Sequence, residues 1–370
     1  MILSKIDIFT FKSIEEASCS FSPKLNGFFG GNGMGKTNLL DAIHYLSLAK
    51  SHLSTVDKLA VKKGFDEAQI AGSFCDEEGE EHRIGLKICI DKAKTMSRNG
   101  REYRRLSDHI GRFPVVIISP NDQKLIKGSA GDRRRFLDRL LSQLYPDYLQ
   151  AIVKYNYALN QRNALLQKQM SDPLLYRVIE GQLAESAVLI SEKRRLFVDN
   201  IRPIFSELYS YVCGYSEEVD LHYKTSITME PYAYADFLSH TRRGDLRMGV
   251  TSYGVHKDDM DLLLYDELMR KVGSEGQNKT FLIGLKFAEY RLLSEATNVK
   301  PILLLDDLFD KLDAERVERI IELVGSNCFG QIFITDTNRK YLDDIIQAQG
   351  ADYQLFELNR GTVTHLSEGR

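Results

Sequence analysis

Cysteine and long apolar runs are both scarce in this sequence. Its five cysteines include no C-x-x-C pair, so neither a zinc site nor a disulfide framework is indicated. No apolar run approaches the roughly 20 residues that a membrane-spanning helix needs, and the first residues lack the apolar core of a signal peptide. We therefore expect a soluble protein in a reducing, cytoplasmic compartment.

The chain also lacks a strong net charge, internal repeats and low-complexity segments. Its 370 residues carry 49 Lys and Arg against 52 Asp and Glu, which gives a formal net charge of −3. Since nucleic-acid-binding domains usually show an excess of positive charge, any such binding here must depend on local basic clusters. The length allows two or three domains and a large buried core.

The strongest motif lies near the start of the chain, where the sequence matches the G-x-x-x-x-G-K-[ST] pattern of phosphate-binding loops. The candidate nucleotide-binding residues are Gly30, Gly31, Asn32, Gly33, Met34, Gly35, Lys36, Thr37 and Asn38. Glycine lets backbone N–H groups turn inward around phosphate oxygens. We expect Lys36 to contact the β- and γ-phosphates of ATP and the Thr37 hydroxyl to hold Mg²⁺. An apolar strand before the motif and a buried helix after it fit this interpretation, so the sequence predicts a nucleotide triphosphatase.

An apolar strand later in the chain ends in two carboxylates. Residues 302–305 read Ile-Leu-Leu-Leu, which is typical of a strand buried on both faces, and Asp306 and Asp307 follow. Open α/β sheets bind ligands at the carboxyl ends of such strands. Asp306 suits the Mg²⁺ shell, and Asp307 is placed to orient or deprotonate an attacking water. Beside a phosphate loop, this pair predicts the catalytic side of an ATP site, with Asp307 and Lys36 as its catalytic residues.

A third segment precedes a predicted helix over residues 276–297. Ser274 at the N-cap and Gln277 at N3 form a capping box, which by itself explains both residues. A helix N-terminus with Gly276 beside it also offers backbone N–H groups to an anion. The position of the segment shortly before Asp306 favours a nucleotide contact for Ser274, Gly276 and Gln277.

Two local basic clusters are candidates for DNA binding. Asn99-Gly100 strongly predicts a two-residue hairpin. The arginines around that hairpin are Arg98, Arg101, Arg104 and Arg105, and a weaker cluster is Lys62 and Lys63. Contact with DNA phosphates and an ordinary solvated surface are about equally plausible for the hairpin.

Other charged residues are ambiguous. Lys12 lies in a predicted turn between the first two strands, where a solvated charge is favoured over a nucleotide contact. Arg133, Arg134 and Arg135 open a helix, and a phosphate- or partner-binding patch is at least as plausible as a solvated face. His256 lacks the spacing of a metal ligand, so a turn held by local hydrogen bonds is favoured.

Helical sequence interrupts the α/β pattern in the middle of the chain. Helices are predicted near residues 132–145, 147–170 and 173–213, while residues 218–271 are mixed, with strands at 219–223 and 261–265. The fold class is therefore α/β with an inserted helical domain. We predict head segments at residues 1–118 and 246–370, and a helical insertion, or arm, at residues 119–245.

Together these motifs resemble the ABC-type P-loop ATPase heads of DNA-repair and chromosome proteins, which have a mixed sheet with an N-terminal antiparallel part. Gly30–Thr37 matches Walker A, Ser274–Gln277 the signature motif and Ile302–Asp307 Walker B, and Lys311-Leu312-Asp313 is similar to the D-loop. Within that class the chain resembles the RecF family over nearly its whole length. The supporting stretches include residues 119–138 and 254–259.

Three positions depart from common ABC patterns. Asp336 stands where a switch histidine is frequent, and Asp307 stands where transporters have Glu, although Asp fits the RecF family. Asn121 and Asp122 stand where a Q-loop glutamine is sought. The histidine-switch and Q-loop roles are therefore unassigned.

The resemblance implies a DNA-binding ATPase that dimerises on ATP and acts in recombinational repair of single-strand gaps, where it assists recombinase loading. It implies weak, DNA-stimulated ATP hydrolysis, binding to double-stranded and gapped or single-stranded DNA, mediators similar to RecR and RecO as partners, and a nucleoid-associated location. The alternatives are another SMC- or ABC-like chromosome or defence ATPase and a transporter nucleotide-binding subunit. Long heptad repeats, a nuclease domain and a membrane-gripping subdomain, which these would need, are not visible in the sequence.

Overall fold

The computed structural model of the chain describes residues 1–310, 312–326, 328–337, 339–350 and 352–369. These residues form two units. The first, here called the sheet unit, contains Met1–Asp122, Leu208–Ser216 and Ser274–Arg370. The second, the helical unit, contains Gln123–Glu207 and Glu217–Gly273.

An antiparallel sheet makes up the N-terminal part of the sheet unit. Alternation of buried and exposed residues along its strands is the pattern of a sheet with one face in the core. Its strands are β1 (Ile2–Phe11), β2 (Ile14–Ser20), β4 (Glu67–Cys75), β5 (Glu81–Cys89), β6 (Thr95–Arg98) and β7 (Arg101–Glu102), in the spatial order β2-β1-β4-β5-β6-β7. The predicted hairpin at Asn99 and Gly100 is confirmed, since both residues have positive φ, 50° and 79°.

The second sheet of this unit is mostly parallel. Its strands are β3 (Leu25–Phe29), β8 (Val115–Ile118), β12 (Ile302–Asp306), β13 (Ile332–Asp336), β14 (Tyr353–Asn359) and β15 (Thr362–Gly369), in the order β15-β14-β3-β13-β12-β8. All neighbours pair in parallel except β14 and β15. Parallel strands need both faces covered, which explains the unbroken apolar runs in β8 and β12.

Four helices accompany these sheets: α1 (Lys36–Leu48), α8 (Glu275–Thr297), α9 (Ala314–Gly325) and α10 (Arg339–Gln349). Phe28 of β3 stacks on Phe333 of β13 with ring centroids 6.3 Å apart, and Leu39 and Ile43 of α1 are buried in the same cluster. Burying a side chain of this size stabilises the fold by about 1.5–3 kcal/mol. The core thus fixes β3 and α1, the two elements that flank the predicted phosphate loop.

One buried glutamine joins the two sheets. The Gln331 side-chain oxygen accepts a bond from the Leu3 N–H (2.7 Å), and its amide nitrogen donates to the carbonyls of Leu3 and Ser22 (2.8 Å each). These bonds satisfy backbone groups at the start of β1 and after β2 that the core would otherwise leave without partners.

The helical unit contains most of the predicted insertion. Its elements are α2 (Gln123–Lys127), α3 (Ala130–Leu144), α4 (Pro146–Gln167), α5 (Pro173–Cys213, whose last turns lie in the sheet unit), α6 (Pro231–Met248), α7 (Met269–Val272), β9 (Val219–Lys224), β10 (Asp259–Leu264) and β11 (Glu267–Leu268). A small antiparallel sheet has the order β11-β10-β9. Among the described residues, no helix combines the length and apolar character that crossing a membrane requires.

A buried ionic cluster holds α4, α5 and α6 together. Arg162 of α4 is 0% exposed, and its guanidinium lies 3.0 Å from a Glu180 oxygen and 2.6 Å from an Asp245 oxygen. The same group donates to the Thr251 hydroxyl and to the Leu238 carbonyl. A buried charge is tolerated when it is paired and hydrogen-bonded in this way.

Helix α6 is absent from the sequence-based prediction, which described residues 218–271 as mixed. Its polar sequence and the internal Gly244 weaken the helical pattern. Two end signals were nevertheless present: Pro231 at the first helical turn and Gly249, which ends the helix with φ 69°.

The units divide the chain differently from the predicted boundaries. Residues 246–273, expected in the C-terminal head segment, lie in the helical unit because β10 pairs with β9. Arg133 of α3 adds an ion pair to Asp259 at 2.6 Å. The functional domain boundaries at residues 118 and 245 stay a prediction.

Two of the three arginines that open α3 stabilise the helical unit. Arg133 pairs with Asp259, and Arg134 donates to the Asp258 carbonyl at 2.6 Å. The hypothesis of a phosphate- or partner-binding patch is therefore wrong for Arg133, whose buried guanidinium is taken up by internal partners, and for Arg134 it stays a prediction. Arg135 is exposed and pairs with Asp132.

His256 lies in a hydrogen-bonded turn, as predicted. One ring nitrogen, Nδ1, lies 2.6 Å from the Tyr155 hydroxyl, and the other, Nε2, lies 3.0 Å from the Thr251 carbonyl oxygen. Gly254 precedes it with φ 141°. Both nitrogens have protein partners, so the arrangement is structural.

Candidate nucleotide-binding site

The phosphate loop connects β3 to α1 and follows a path that only glycine permits at several points. Gly30, Gly33 and Gly35 have φ of 153°, 75° and 110°. A Cβ on Gly30 would lie 2.4 Å from the Leu358 carbonyl oxygen, so tight packing against β14 is a second reason for glycine there. Sequence reasoning had attributed the glycines to phosphate access alone.

Two turns from distant parts of the chain brace this loop. The Gly361 N–H donates to the Met34 carbonyl (3.0 Å), and the Arg360 N–H points to the Met34 sulfur. From the other side, the Asn38 amide donates to the Ser13 hydroxyl (2.7 Å). The bracing turns hold the loop open in one conformation, which favours ligand binding because less ordering is needed. A direct nucleotide contact for Asn38 stays a prediction.

Lys36 is a nearly buried cation, 5% exposed. Its ammonium donates to the carbonyl oxygens of Gly30 (2.7 Å) and Gly31 (3.2 Å). In the part of the chain that the structure describes, no carboxylate comes within ion-pair distance of it. A nearly buried cation held by two loop carbonyl oxygens, with no described carboxylate in ion-pair distance, fits an anionic ligand such as the phosphates of ATP.

The predicted metal ligands converge at the carboxyl edge of the parallel sheet. The hydroxyls of Thr37, at the start of α1, and Thr335, in β13, both donate to the same Asp306 oxygen, at 3.0 and 2.7 Å. Burial raises the pKa of Asp306. Hydroxyl and carboxylate oxygens are the donors that Mg²⁺ prefers, so this cluster fits the ion.

Asp307 turns away from the strand direction directly after Asp306. Its φ of 46° lies in the left-handed region, which is unfavourable for a residue with a side chain. Its N–H donates to the Thr335 carbonyl (3.2 Å) and lies 3.3 Å from the Thr335 hydroxyl. Thr335 therefore bonds the carboxylate of Asp306 and the backbone N–H of Asp307, a role that the sequence analysis missed. The signal was available, since Thr335 follows a short apolar run near the end of β13, as Asp306 does at the end of β12.

The predicted capping box at the start of α8 is present. The Ser274 hydroxyl accepts from the Gln277 N–H (3.2 Å), and the Gln277 side-chain oxygen accepts from the Ser274 N–H (2.9 Å). The structure thus accounts for Ser274 and Gln277 as a helix cap, and an anion contact at Gly276 stays a prediction. Of the D-loop-like segment, Lys311 lies outside the described residues, and Asp313 caps α9 through the Arg316 N–H.

Lys12 is not the solvated charge that was favoured from the sequence. Its ammonium forms a 2.5 Å ion pair with Asp41 of α1, which is buried. The same carboxylate accepts from the Ser51 hydroxyl and the His52 N–H. The sequence could not reveal this pair because its members belong to different elements.

The basic clusters lie in different parts of the antiparallel sheet. Arg98 contacts His82 at 3.2 Å, whereas the other hairpin arginines are exposed: Arg101, Arg104 and Arg105. Lys62 pairs with Glu15 of β2, and Lys63 is exposed. Since β2 and β7 are the two outer strands, the structure does not bring the clusters together. DNA contact at either cluster stays a prediction.

Comparison with known proteins agrees with this geometry. A family model described as the RecF/RecN/SMC N terminal domain matches residues 2–354. A DNA replication and repair protein RecF from Parabacteroides distasonis is 49% identical over 368 residues, covering 100% of both chains. The Porphyromonas gingivalis protein of the same name is 49% identical over 363 residues, covering 98% of this chain and 100% of the relative.

Solved structures show the same architecture. A structure of the recombination mediator protein RecF-ATP in the RecFOR pathway has a TM-score of 0.87 and 27% identity, covering 98% of this chain and 99% of that chain. An Smc head domain from Pyrococcus furiosus has a TM-score of 0.59 at 16% identity, covering 99% and 96%, which supports the fold alone. The predicted ABC-type ATPase-head fold is confirmed, and the chain belongs to the RecF family of DNA replication and repair proteins.

Proposed function

We propose that this protein is a DNA-binding ATPase that dimerises on ATP and assists recombinase loading during repair of single-strand gaps. The observation that carries the proposal is the convergence of Thr37, Asp306 and Thr335 beside the buried ammonium of Lys36. These groups form one site for a nucleoside triphosphate and a hard divalent cation. A relative whose structure is described as RecF-ATP supports ATP as the nucleotide.

The residues of the site have distinct roles. Lys36 leaves its two carbonyl partners and balances the charge of the β- and γ-phosphates. Thr37 and Asp306 would hold Mg²⁺, which when bound neutralises charge that develops on the phosphates. Asp307 orients the attacking water and accepts its proton.

Dimerisation follows from what one phosphate loop leaves uncovered. The outer oxygens of the γ-phosphate would face water, and a second anion-binding helix N-terminus can cover them. We assign that role to Ser274 and Gly276 of a second copy. ADP lacks the γ-phosphate, so hydrolysis releases the dimer, and turnover acts as a weak switch that DNA stimulates.

The proposed partners are double-stranded and gapped or single-stranded DNA, contacted through the hairpin arginines and Lys62-Lys63, and mediators of the RecR and RecO kind. The description of a relative within the RecFOR pathway supports these mediators. This role corresponds to a cytoplasmic, nucleoid-associated protein.

Light scattering with ATP and Mg²⁺ tests the dimer. The unsubstituted protein should double its mass with ATP and stay monomeric with ADP, and its turnover should rise with gapped DNA. Ser274→Arg should keep ATP binding in the monomer yet lose dimerisation and turnover. Ala296→Arg, which adds the same side chain at the exposed far end of α8, is the matched control.

Mixing two inactive variants locates the shared site. A dimer of one Ser274→Arg chain and one Lys36→Ala chain contains one composite site with both elements intact. Partial recovery of ATPase is expected. Normal hydrolysis by Ser274→Arg alone would show that the capping box is only a helix cap.

A further inference from the structure

The beginning of α8 is bonded to the segment that carries Asp307. Lys279, in the second turn of α8, donates its ammonium to the carbonyl oxygens of Asp307 (3.1 Å) and Asp310 (2.7 Å). Both bonds are charge-assisted and therefore stronger than bonds between neutral groups. Lys279 thus joins two parts of the sheet unit to which the proposed function gives different tasks.

Thr280, the residue after Lys279, takes part in a second link between α8 and its surroundings. Arg316 of α9 donates to the Thr280 hydroxyl at 2.9 Å, and that hydroxyl donates to the Gly276 carbonyl at 2.9 Å. Arg316 also pairs with Asp313 at 3.2 Å. The first turns of α8 are therefore tied to the start of α9 as well as to the segment that follows Asp307.

Lys279 also acts on a residue whose backbone needs support. Asp307 lies in the left-handed region, φ 46°, an uncommon conformation for a residue with a side chain, and surrounding hydrogen bonds help to hold it there. Its N–H is bonded to Thr335 and its carbonyl to Lys279. Removing either bond frees one peptide plane beside the carboxylate, and the direction of that carboxylate changes.

We propose that Lys279 is a positioning residue for Asp307 and couples the two ATP sites of a dimer. The inference rests on the proposed function, in which the start of α8 covers a γ-phosphate bound by the second copy. Asp307, in contrast, serves the nucleotide bound by its own chain. Lys279 belongs to α8 and bonds the carbonyl of Asp307. Movement of α8 onto the nucleotide of the partner is therefore transmitted to Asp307 in its own site.

Steady-state ATPase measurements on Lys279→Met, Lys279→Arg and Arg291→Met test the positioning role. Arg291 lies on the same helix, exposed and paired with Glu295, and serves as the control. Displacing a reactive group by about 1 Å can cost roughly 100-fold in rate. We expect Lys279→Met to lower kcat by about 10- to 100-fold with KM for ATP within about twofold. ATP-driven dimerisation is retained, and Lys279→Arg restores part of kcat.

Mixed dimers distinguish the positioning of Asp307 by Lys279 from a disturbance of the end of α8 that covers the nucleotide of the partner. In a dimer of Ser274→Arg and Lys36→Ala chains, the only intact site uses Asp307 of the Ser274→Arg chain and α8 of the Lys36→Ala chain. Lys279→Met should lower the activity when it is added to the Ser274→Arg chain. An equal or greater loss when it is added to the Lys36→Ala chain overturns the proposal.

Asp307→Asn distinguishes failure of this inference from failure of the proposed function. If Asp307→Asn is inactive while Lys279→Met keeps the full kcat, the inference about Lys279 is overturned and the proposed function stands. If Asp307→Asn hydrolyses ATP at the normal rate, the catalytic role of Asp307 is refuted, and the inference about Lys279 is refuted as well.

Discussion

Lys36 in the sheet unit and Arg162 in the helical unit are both buried cations, yet their surroundings differ. Arg162 has two carboxylates, a hydroxyl and a carbonyl as partners. Lys36 has two carbonyl oxygens and, among the described residues, no carboxylate in ion-pair distance. One cation is neutralised within the protein, and for the other the proposed function assigns the phosphates of ATP as the counter-ion.

This difference separates a structural cation from a functional one. A fully paired buried ion adds little net stability but becomes costly when one partner is removed. A buried cation without a counter-ion already costs free energy, which binding of an anion recovers. Burial and charge alone would have placed Lys36 and Arg162 in the same class. The identity of their bonding partners is what distinguishes the two cations.

Removing the structural cation should give the largest effect on stability. Arg162→Met leaves Asp245 buried without its cation and Glu180 paired with Arg242 alone, so the free energy of unfolding should fall by about 3–5 kcal/mol. Urea denaturation measures the change. Arg202→Met, which removes an exposed pair with Asp220, should cost less than about 1 kcal/mol. Equal losses in both variants would contradict the comparison.

Removing the functional cation should instead affect binding. Lys36→Met should weaken ATP binding by about 100-fold, since a charge-assisted bond to phosphate is lost. Its free energy of unfolding should stay within about 1 kcal/mol of the unsubstituted value. Calorimetric titration with ATP and urea denaturation give the two quantities. Unchanged affinity for ATP would refute the site assignment.

Exposed cations are a third class beside the two buried ones. Replacing them should give the smallest effect, which is on DNA binding. Replacing Arg101 and Arg104 by Ala should weaken duplex binding and flatten its salt dependence by about one unit for each lost phosphate contact. Lys63→Ala should act similarly, and Lys62→Ala less, because Lys62 already pairs with Glu15. Lys154→Ala, an exposed lysine of α4, is the control. An unchanged salt slope would assign both clusters to solvated surface.

The sequence predicted the parts of the site that are contiguous in the chain. The phosphate loop, the strand that ends in Asp306 and Asp307, and the capping box at Ser274 each depend on a few neighbouring residues, and local chemistry restricts their types. Long apolar strands and the 41-residue helix α5 were predicted for the same reason. Periodic burial leaves a pattern that needs no knowledge of tertiary structure.

The parts that were missed depend on contacts between distant segments. Lys12 and Asp41, Thr335 and Asp306, and Lys279 and Asp307 are pairs whose members belong to different elements. No local pattern reveals which of many charged residues will meet. Helix α6 was missed for another reason, since its apolar face is narrow and its sequence contains Gly244.

The brace under the phosphate loop has a consequence for synthesis of the protein. Arg360, which contacts Met34, is 326 residues further along the chain. At a translation rate of about 5–20 residues per second, the turn that supports the phosphate loop is synthesised tens of seconds after the loop. A ribosome-bound fragment therefore carries the complete Walker A sequence without its finished geometry. The two backbone contacts to Met34 can form only when nearly the whole sheet unit has been made.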